Sequence, residues 1–222
     1  VFYGDLDITT IREKPRSRQD ISTSIIKNSR YNDMLGWIGG EVANGRQAYF
    51  VCPKIEGDDE GTVMSVTELL EDLQRALPRV RFGLLHGKLN DKKKGEVMSA
   101  FRNKEYDCLV STTVIEVGVD VPDATVMVIY NADRFGLSQL HQLRGRVGRG
   151  SVKSYCFLLS DNESEQSRER LAVLKNNSDG FAIAEYDLKL RGGGDFMGTR
   201  QSGRILTELK NLRFPVSAVF TA

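Results

Sequence analysis

The feature that most constrains the fold is a regular alternation of short apolar runs and amphipathic segments over residues 30–159. The apolar runs are nearly continuous, and the amphipathic segments repeat apolar residues every three or four positions. Such strands, separated by helices, are typical of a parallel sheet covered on both faces. We therefore predict an α/β fold. Strands are expected at 47–52, 80–86, 108–111, 125–130 and 154–159, and helices at 30–43, 62–77, 91–101 and 137–144.

Sheets of this kind bind their ligands beyond the carboxyl ends of the strands. The motif-rich loops of this sequence are predicted to follow strands. We therefore expect the functional side chains to gather at the carboxyl edge of the sheet.

After Asp161 the pattern changes to two helices, predicted at 162–175 and 181–190 with a break at Asp179-Gly180. The residues that follow, 191–203, are rich in glycine. We predict a helical hairpin and a glycine-rich loop appended to the sheet. The chain begins without Met on an apolar, aromatic stretch, so we expect a fragment of a longer protein. The predicted division is a linker or start segment (1–29), the sheet domain (30–161), the hairpin with its loop (162–212) and a tail (213–222).

The composition, with 40% hydrophobic and 27% charged residues among 222, is that of an ordinary globular chain. A formal net charge of +1 means that a nucleic-acid surface would be a local patch. Cys52, Cys108 and Cys156 lie in apolar runs and are expected to be buried thiols. Two histidines are too few for a zinc cluster, and neither a membrane span nor a signal peptide is recognisable. We expect an intracellular, soluble protein without metal ligands.

The most unusual chemistry lies in residues 142–150, which read QLRGRVGRG. Arg146 and Arg149 each follow a glycine, and at i and i+3 of a helical turn both would project from one face. Guanidinium groups match phosphate oxygens, so the pair is a candidate for arginine fingers on a polyphosphate. The alternative is a basic surface turn that binds nucleic-acid backbone.

No phosphate-binding loop accompanies these arginines. The nearest candidate, residues 82–89, lacks the first glycine and carries Leu89 where a hydroxyl group would hold magnesium. The acidic residues 58–60 lie in a polar loop and are interpreted as solvated surface. The chain is therefore expected to supply half of an active site.

A second candidate lies in residues 112–122, which read TTVIEVGVDVP. Thr112 and Thr113, at the end of a strand, are able to donate to a nucleic-acid phosphate, and Asp120 is able to accept from ribose hydroxyl groups. The alternative is that these side chains only cap local turns.

Together, TTVIEVGVDVP and QLHQLRGRVGRG (139–150) resemble motifs V and VI of superfamily 2 helicases, on the second RecA-like lobe. Residues 49–56 resemble motif IV, and His86-Gly87 the turn that follows it. Residues 134–150 and 179–203 are similar to the RecG family of ATP-dependent DNA translocases, which remodel stalled forks and branched junctions. One departure is Gly193, where that family has proline.

The resemblance implies a role for each matching residue. Arg146 and Arg149 would contact nucleotide phosphates, and ATP with Mg²⁺ would be held mainly by a missing first lobe. A bacterial cytoplasmic protein at the nucleoid is implied, with forked or branched DNA and the missing wedge domain and first lobe as partners. His141 is expected to be a packed structural residue, and His86 is as readily structural as DNA-binding. The remaining residues are assigned to the nucleotide (Gln142, Gly118, Asp120), to DNA (Thr112, Thr113, His86, Gly87) and to translocation coupling (Arg191, Arg200, Gln201).

Two alternatives stay open. The chain is also similar to the equivalent lobe of the transcription-repair coupling factor, which shares the translocation motif. A DNA-binding module without ATPase activity is the second alternative, in which the arginine pair contacts only phosphate backbone.

Overall fold

The computed structural model describes residues 21–54, 57–112 and 121–190. Its centre is a parallel sheet in the order β1-β6-β5-β2-β4-β3. The strands are β1 (Ile21–Ile26), β2 (Gln47–Cys52), β3 (Phe82–Leu85), β4 (Cys108–Thr112), β5 (Ala124–Ile129) and β6 (Ser154–Leu159).

Helices cover both faces of this sheet. Leu35 and Ile38 of the first helix and Leu73 of the second pack on one face, while Phe101 and Leu140 belong to the core cluster of the other. The helices are α1 (Tyr31–Ala43), α2 (Asp59–Ala76), α3 (Asp91–Arg102), α4 (Leu137–Arg144), α5 (Glu165–Asn176) and α6 (Gly180–Leu190), with short 3₁₀ turns at Asn28–Arg30 and Ala132–Arg134. The α/β fold with a parallel sheet and helices on both faces is confirmed.

The central strands explain why the apolar pattern was so clear. Every residue of β2, β4 and β5 is buried, because each of these strands has a strand on both sides and helices on both faces. The three cysteines are buried free thiols, as expected. Burial raises the pKa of the Cys52 and Cys156 thiols to about 12.

Side-chain caps set the helix starts. Asp58 accepts a hydrogen bond from the backbone N–H of Gly61 at 2.7 Å, and Asn90 accepts one from Lys93 at 2.8 Å. Helix α2 therefore begins at Asp59, three residues before its predicted start. Asp58 is exposed, as predicted, but it also caps a helix.

The strand β1 was not predicted, because its sequence ISTSII has three consecutive hydroxyl residues at its centre and follows a charged stretch. It pairs in parallel with β6, with Ile21 opposite Ser154 and Ile26 opposite Leu159. The sheet thus begins inside the segment expected to be a linker. The division of the chain into four segments otherwise stays a prediction.

The predicted helical hairpin is present as α5 and α6. Leu171 and Leu174 of α5 and Ile183 of α6 belong to the same core cluster as the sheet, so the two helices are packed on the domain. The glycine-rich loop at 191–203 lies outside the described residues. Among the helices described, none is long and apolar enough to cross a membrane.

Candidate functional site

The arginine segment, residues 145–150, follows α4 and leads into β6. A helix that connects two parallel strands returns the chain to the amino edge of the sheet, so Arg146 and Arg149 lie at that edge. The expectation that all motif-rich loops follow strands, and so lie at the carboxyl edge, is wrong for this segment. The predicted helical turn is wrong too: α4 ends at Arg144, and Gly148 adopts a left-handed φ of 79°.

The backbone of the arginine segment is held firmly. Val147 is completely buried, and Gly148 is buried in a conformation that side chains rarely adopt. A Cβ atom at Gly150 would lie 2.9 Å from the carbonyl oxygen of Pro122, so the segment rests directly on that turn. Arg146 is half-buried and Arg149 is exposed. The segment therefore presents guanidinium groups from a fixed backbone, and such groups fit phosphate oxygens.

The turn beneath Gly150 carries its own charge cluster. The carboxylate of Asp123 lies 2.7 Å from the Lys104 ammonium nitrogen and 3.9 Å from an Arg46 guanidinium nitrogen. Lys104 is left-handed, with φ of 61°, a conformation that costs a side-chain-bearing residue roughly 1–2 kcal/mol. Because the Lys104–Asp123 ion pair is half-exposed, it is expected to contribute only about 0.2–1 kcal/mol to stability.

One arginine of the motif, Arg144, is a structural residue that the sequence did not single out. It is 5% exposed, and its Nη1 donates to the carbonyl oxygens of Leu174 at 2.6 Å and Asn177 at 2.9 Å. It thereby satisfies carbonyl groups at the end of α5, where a positive charge is also favoured by the helix dipole.

The imidazole of His141 completes this junction. Its Nδ1 lies 2.9 Å from Arg144 Nη2, and since an arginine only donates, Nδ1 accepts. Its Nε2 faces the first residue of α6, where a Cβ at Gly180 would approach to 2.9 Å. His141 is therefore a packed residue between α4 and the hairpin, as the sequence favoured. We name His141, Arg144 and Gly180 the α4–hairpin junction.

A second tie joins α5 to the start of α4. Arg170 donates through Nη2 to the carbonyl oxygens of Asp133 and of Phe135, the latter at 2.9 Å. Beside it lies a polar cavity of about 280 Å³, lined by Asp133, Gly136, Asn162, Ser164, Gln166, Ser167, Arg170 and Asp187. The hairpin is thus tied to α4 at both ends of that helix.

The described residues assigned to DNA, Thr112, His86 and Gly87, lie at the other edge of the sheet. Thr112 ends β4 and is 1% exposed, beside Cys52 on the neighbouring strand. His86 follows β3 directly and is half-buried, and Gly87 is exposed with open space around it. His86 Nδ1 is buried without a hydrogen-bond partner, and burial, followed by the charge of Lys88, lowers the pKa of this imidazole. Because Thr112 is buried, its predicted contact with DNA would require either a local movement or a neighbouring residue that contacts the DNA instead.

The other assigned residues are placed only in part. Gln142 is exposed on α4, two residues before the buried Arg144. Among the described residues, no group of His, Cys, Asp or Glu is arranged to hold a metal ion. Thr113, Gly118, Asp120, Arg191, Arg200 and Gln201 lie outside the described residues.

Comparison with protein families decides the affiliation of the fold. Residues 27–151 match the model of the helicase conserved C-terminal domain, which covers more than half of the chain. The chain belongs to the helicase C-terminal domain family. Residues 177–212 match a further model, the C-terminal part of domain 3 of the ATP-dependent DNA helicase RecG, and this stretch includes α6 and Gly180 of the junction.

Individual relatives agree with this affiliation. The chain is 50% identical over 203 residues to the ATP-dependent DNA helicase RecG of Thermotoga maritima, covering 91% of this chain and 26% of the relative. It is 52% identical over 203 residues to RecG of Synechocystis, covering 91% of this chain and 24% of the relative. The chain thus spans about a quarter of the length of these curated relatives.

A solved structure of RecG bound to a three-way DNA junction superposes with a TM-score of 0.74 at 49% identity, covering 87% of this chain and 25% of that one. The fold of the helicase C-terminal domain is therefore the RecA-like second lobe that the sequence motifs indicated. The similarity to RecG, which the motifs also indicated, is confirmed.

Proposed function

We propose that this helicase C-terminal domain is the second motor lobe of an ATP-dependent DNA translocase that acts on forked or branched DNA. The observation that carries the proposal is the arginine segment. Arg149 is exposed and Arg146 half-buried on a backbone fixed by Val147, Gly148 and Gly150. The similarity to RecG at 49–52% identity supports the substrate class.

The nucleotide would be bound mainly outside this chain, by the lobe that precedes it. Bound ATP, with Mg²⁺, supplies the phosphoryl group whose hydrolysis drives the motor. The role of Arg149 would be to donate to the terminal phosphate oxygens and to stabilise the charge that develops on them, with Arg146 beside it. Gln142, Gly118 and Asp120 would complete the nucleotide contacts.

Lobe closure would be passed to DNA through the hairpin. Movement of the arginine segment displaces the end of α4, and the α4–hairpin junction ties that end to α5 and α6. Arg191, Arg200 and Gln201 follow α6 in sequence and would transmit the movement to duplex DNA. Thr112, Thr113, His86 and Gly87 would hold the DNA backbone, which implies little sequence preference and a strong dependence on salt. Such a protein would work in the bacterial cytoplasm, at the nucleoid.

The decisive experiment measures ATP turnover, stimulated by forked DNA, in the full-length protein that contains this chain. We expect Arg149→Ala to lower kcat by about 100-fold or more while nucleotide binding is retained, because the lost contact forms in the transition state. Arg79→Ala is the matched control, since Arg79 is exposed beside β3 at the far end of the sheet from β1. Unchanged turnover in Arg149→Ala, with weaker DNA binding, would instead establish a DNA-binding module whose arginines contact only backbone.

A further inference from the structure

The position of the arginine segment depends on the turn beneath it. Gly150 packs so closely on the Pro122 carbonyl oxygen that an added Cβ would approach to 2.9 Å. A displacement of that turn therefore displaces the segment. Arginine fingers act through geometry, and errors of about 1 Å are costly in catalysis.

The turn is fixed from two directions. The carbonyl oxygen of Asp123 accepts a hydrogen bond from the backbone N–H of Gln47 at 2.8 Å, which ties the turn to β2. The carboxylate of Asp123 lies 2.7 Å from the ammonium group of Lys104, in the connection between α3 and β4. That connection is itself tied to β2, because the Gln47 side chain donates to the carbonyl oxygens of Phe101 and Tyr106.

The left-handed backbone of Lys104 means that a side chain at this position lowers stability. Its N–H donates to the Phe101 carbonyl oxygen, and the N–H of Glu105 donates to that of Ala100, which closes the end of α3 in a left-handed turn. Glycine is favoured at such a position because it has no Cβ. A half-exposed ion pair returns less stability than the left-handed conformation costs a lysine. A contribution to stability therefore does not explain why a lysine occupies position 104.

We propose that Lys104 and Asp123 are positioning residues for the arginine segment, acting through the contact between Pro122 and Gly150. Their ion pair fixes the turn of Pro122 and Asp123 in the position in which Arg149 would face the nucleotide. Arg46, 3.9 Å from the same carboxylate, adds a second and weaker restraint. This inference rests on the proposed function, since it assigns the restraint to the nucleotide reaction.

The test is Lys104→Gly in the full-length protein, because this change relieves the left-handed strain and removes the ion pair together. We expect kcat for ATP to fall about 5- to 10-fold, while KM and the Kd for forked DNA stay within about twofold. The Tm is expected to be equal to or above that of the wild type. Asn131→Gly is the matched control, because Asn131 is also left-handed, with φ of 47°, and lies at the opposite edge of the sheet.

A second variant, Asp123→Asn, removes the charge on the other side of the pair. It is expected to lower kcat to a similar extent, and the double variant with Lys104→Gly should show no further loss, since both changes break one contact. The proposal is overturned if Lys104→Gly retains the wild-type kcat, or if its kcat falls only together with its Tm. The two proposals fail separately. An active Arg149→Ala overturns the motor function, whereas an inactive Arg149→Ala beside a fully active Lys104→Gly overturns only the positioning role.

Discussion

Two regions joined at the end of α4 use the same kind of side chain for opposite purposes. In the α4–hairpin junction, Arg144 is 5% exposed, and it donates to His141 and to two carbonyl oxygens of the α5 end. In the arginine segment, Arg149 is exposed and Arg146 half-buried, although they lie only two to five residues further along. All three side chains are arginines, and only that of Arg144 is buried.

The contrast shows how to separate an arginine that holds a fold from one that binds a ligand. A buried guanidinium group must have its donors satisfied within the protein, so its position is fixed by those partners. An exposed guanidinium group on a rigid backbone can be reached from solvent, so a phosphate group is able to contact it. The junction is accordingly expected to contribute to stability, whereas the segment is proposed to contact nucleotide phosphates.

The sharpest test of this contrast is Arg144→Met, which keeps the length of the side chain and removes its donors. Two carbonyl oxygens at the end of α5 lose their partner in a buried site, so we expect a loss of about 3–4 kcal/mol in the free energy of unfolding. For a domain of this size the Tm falls by roughly 10 °C. Urea unfolding followed by circular dichroism measures the change.

The control for Arg144→Met is Arg168→Met, since Arg168 is exposed on α5. It should change the free energy of unfolding by less than about 0.5 kcal/mol. By contrast, Arg149→Ala, which is expected to lower turnover about 100-fold, should leave stability unchanged. A small effect of Arg144→Met, comparable to that of Arg168→Met, would remove the distinction between the two regions.

A smaller effect is expected from Gly180→Ala, on the hairpin side of the junction. The new methyl group would approach His141 Nε2 to 2.9 Å, and the ring is held in place by the hydrogen bond of its Nδ1 with Arg144. We expect a loss of about 1–2 kcal/mol in the free energy of unfolding. The measurement is a double-mutant cycle with His141→Ala.

In the His141→Ala background the same change should be neutral or stabilising by up to ~1 kcal/mol, because alanine forms helix better than glycine. An equal cost of Gly180→Ala in both backgrounds would show that His141 is not what excludes a side chain there. The contact between α4 and the hairpin at this junction would then depend on the hydrogen bonds of Arg144 alone.

The parts of the fold that were predictable are those where burial leaves a continuous signal. The bounds 47–52, 154–159 and 137–144 agree with β2, β6 and α4 as observed, since each is a run of apolar or amphipathic residues with sharp ends. Strand β1 was missed because an edge strand needs little apolar surface, and Ser and Thr suffice at half of its positions.

The location of the candidate site was predicted wrongly, and the roles of its residues stay predictions. Arg146 and Arg149 were predicted to contact phosphate groups at the carboxyl edge, yet they lie at the amino edge of the sheet, because the segment follows a helix rather than a strand. The predicted element order contained that information. Arg144 was a different case: its spacing of three from His141 was visible, but its partners on α5 are about 30 residues away, and only the packed structure brings them together.

The smallest expected effect is the pH dependence of stability that arises from His86, whose surroundings differ from those of His141. His141 has an arginine partner at Nδ1, whereas the buried Nδ1 of His86 has none. Burial, and then the charge of Lys88, lowers the pKa of His86 below the ordinary 6.5. The unfolded chain therefore binds the proton more readily, so the contribution of His86 to stability is present above pH 6.5 and is lost as the pH falls towards the folded pKa. Since His86 is only half-buried, we expect a loss of only a few tenths of a kcal/mol. Urea unfolding between about pH 5 and pH 8 should give a shallower pH dependence of stability for His86→Gln than for the wild type. Parallel curves would show that the pKa of His86 does not change on folding.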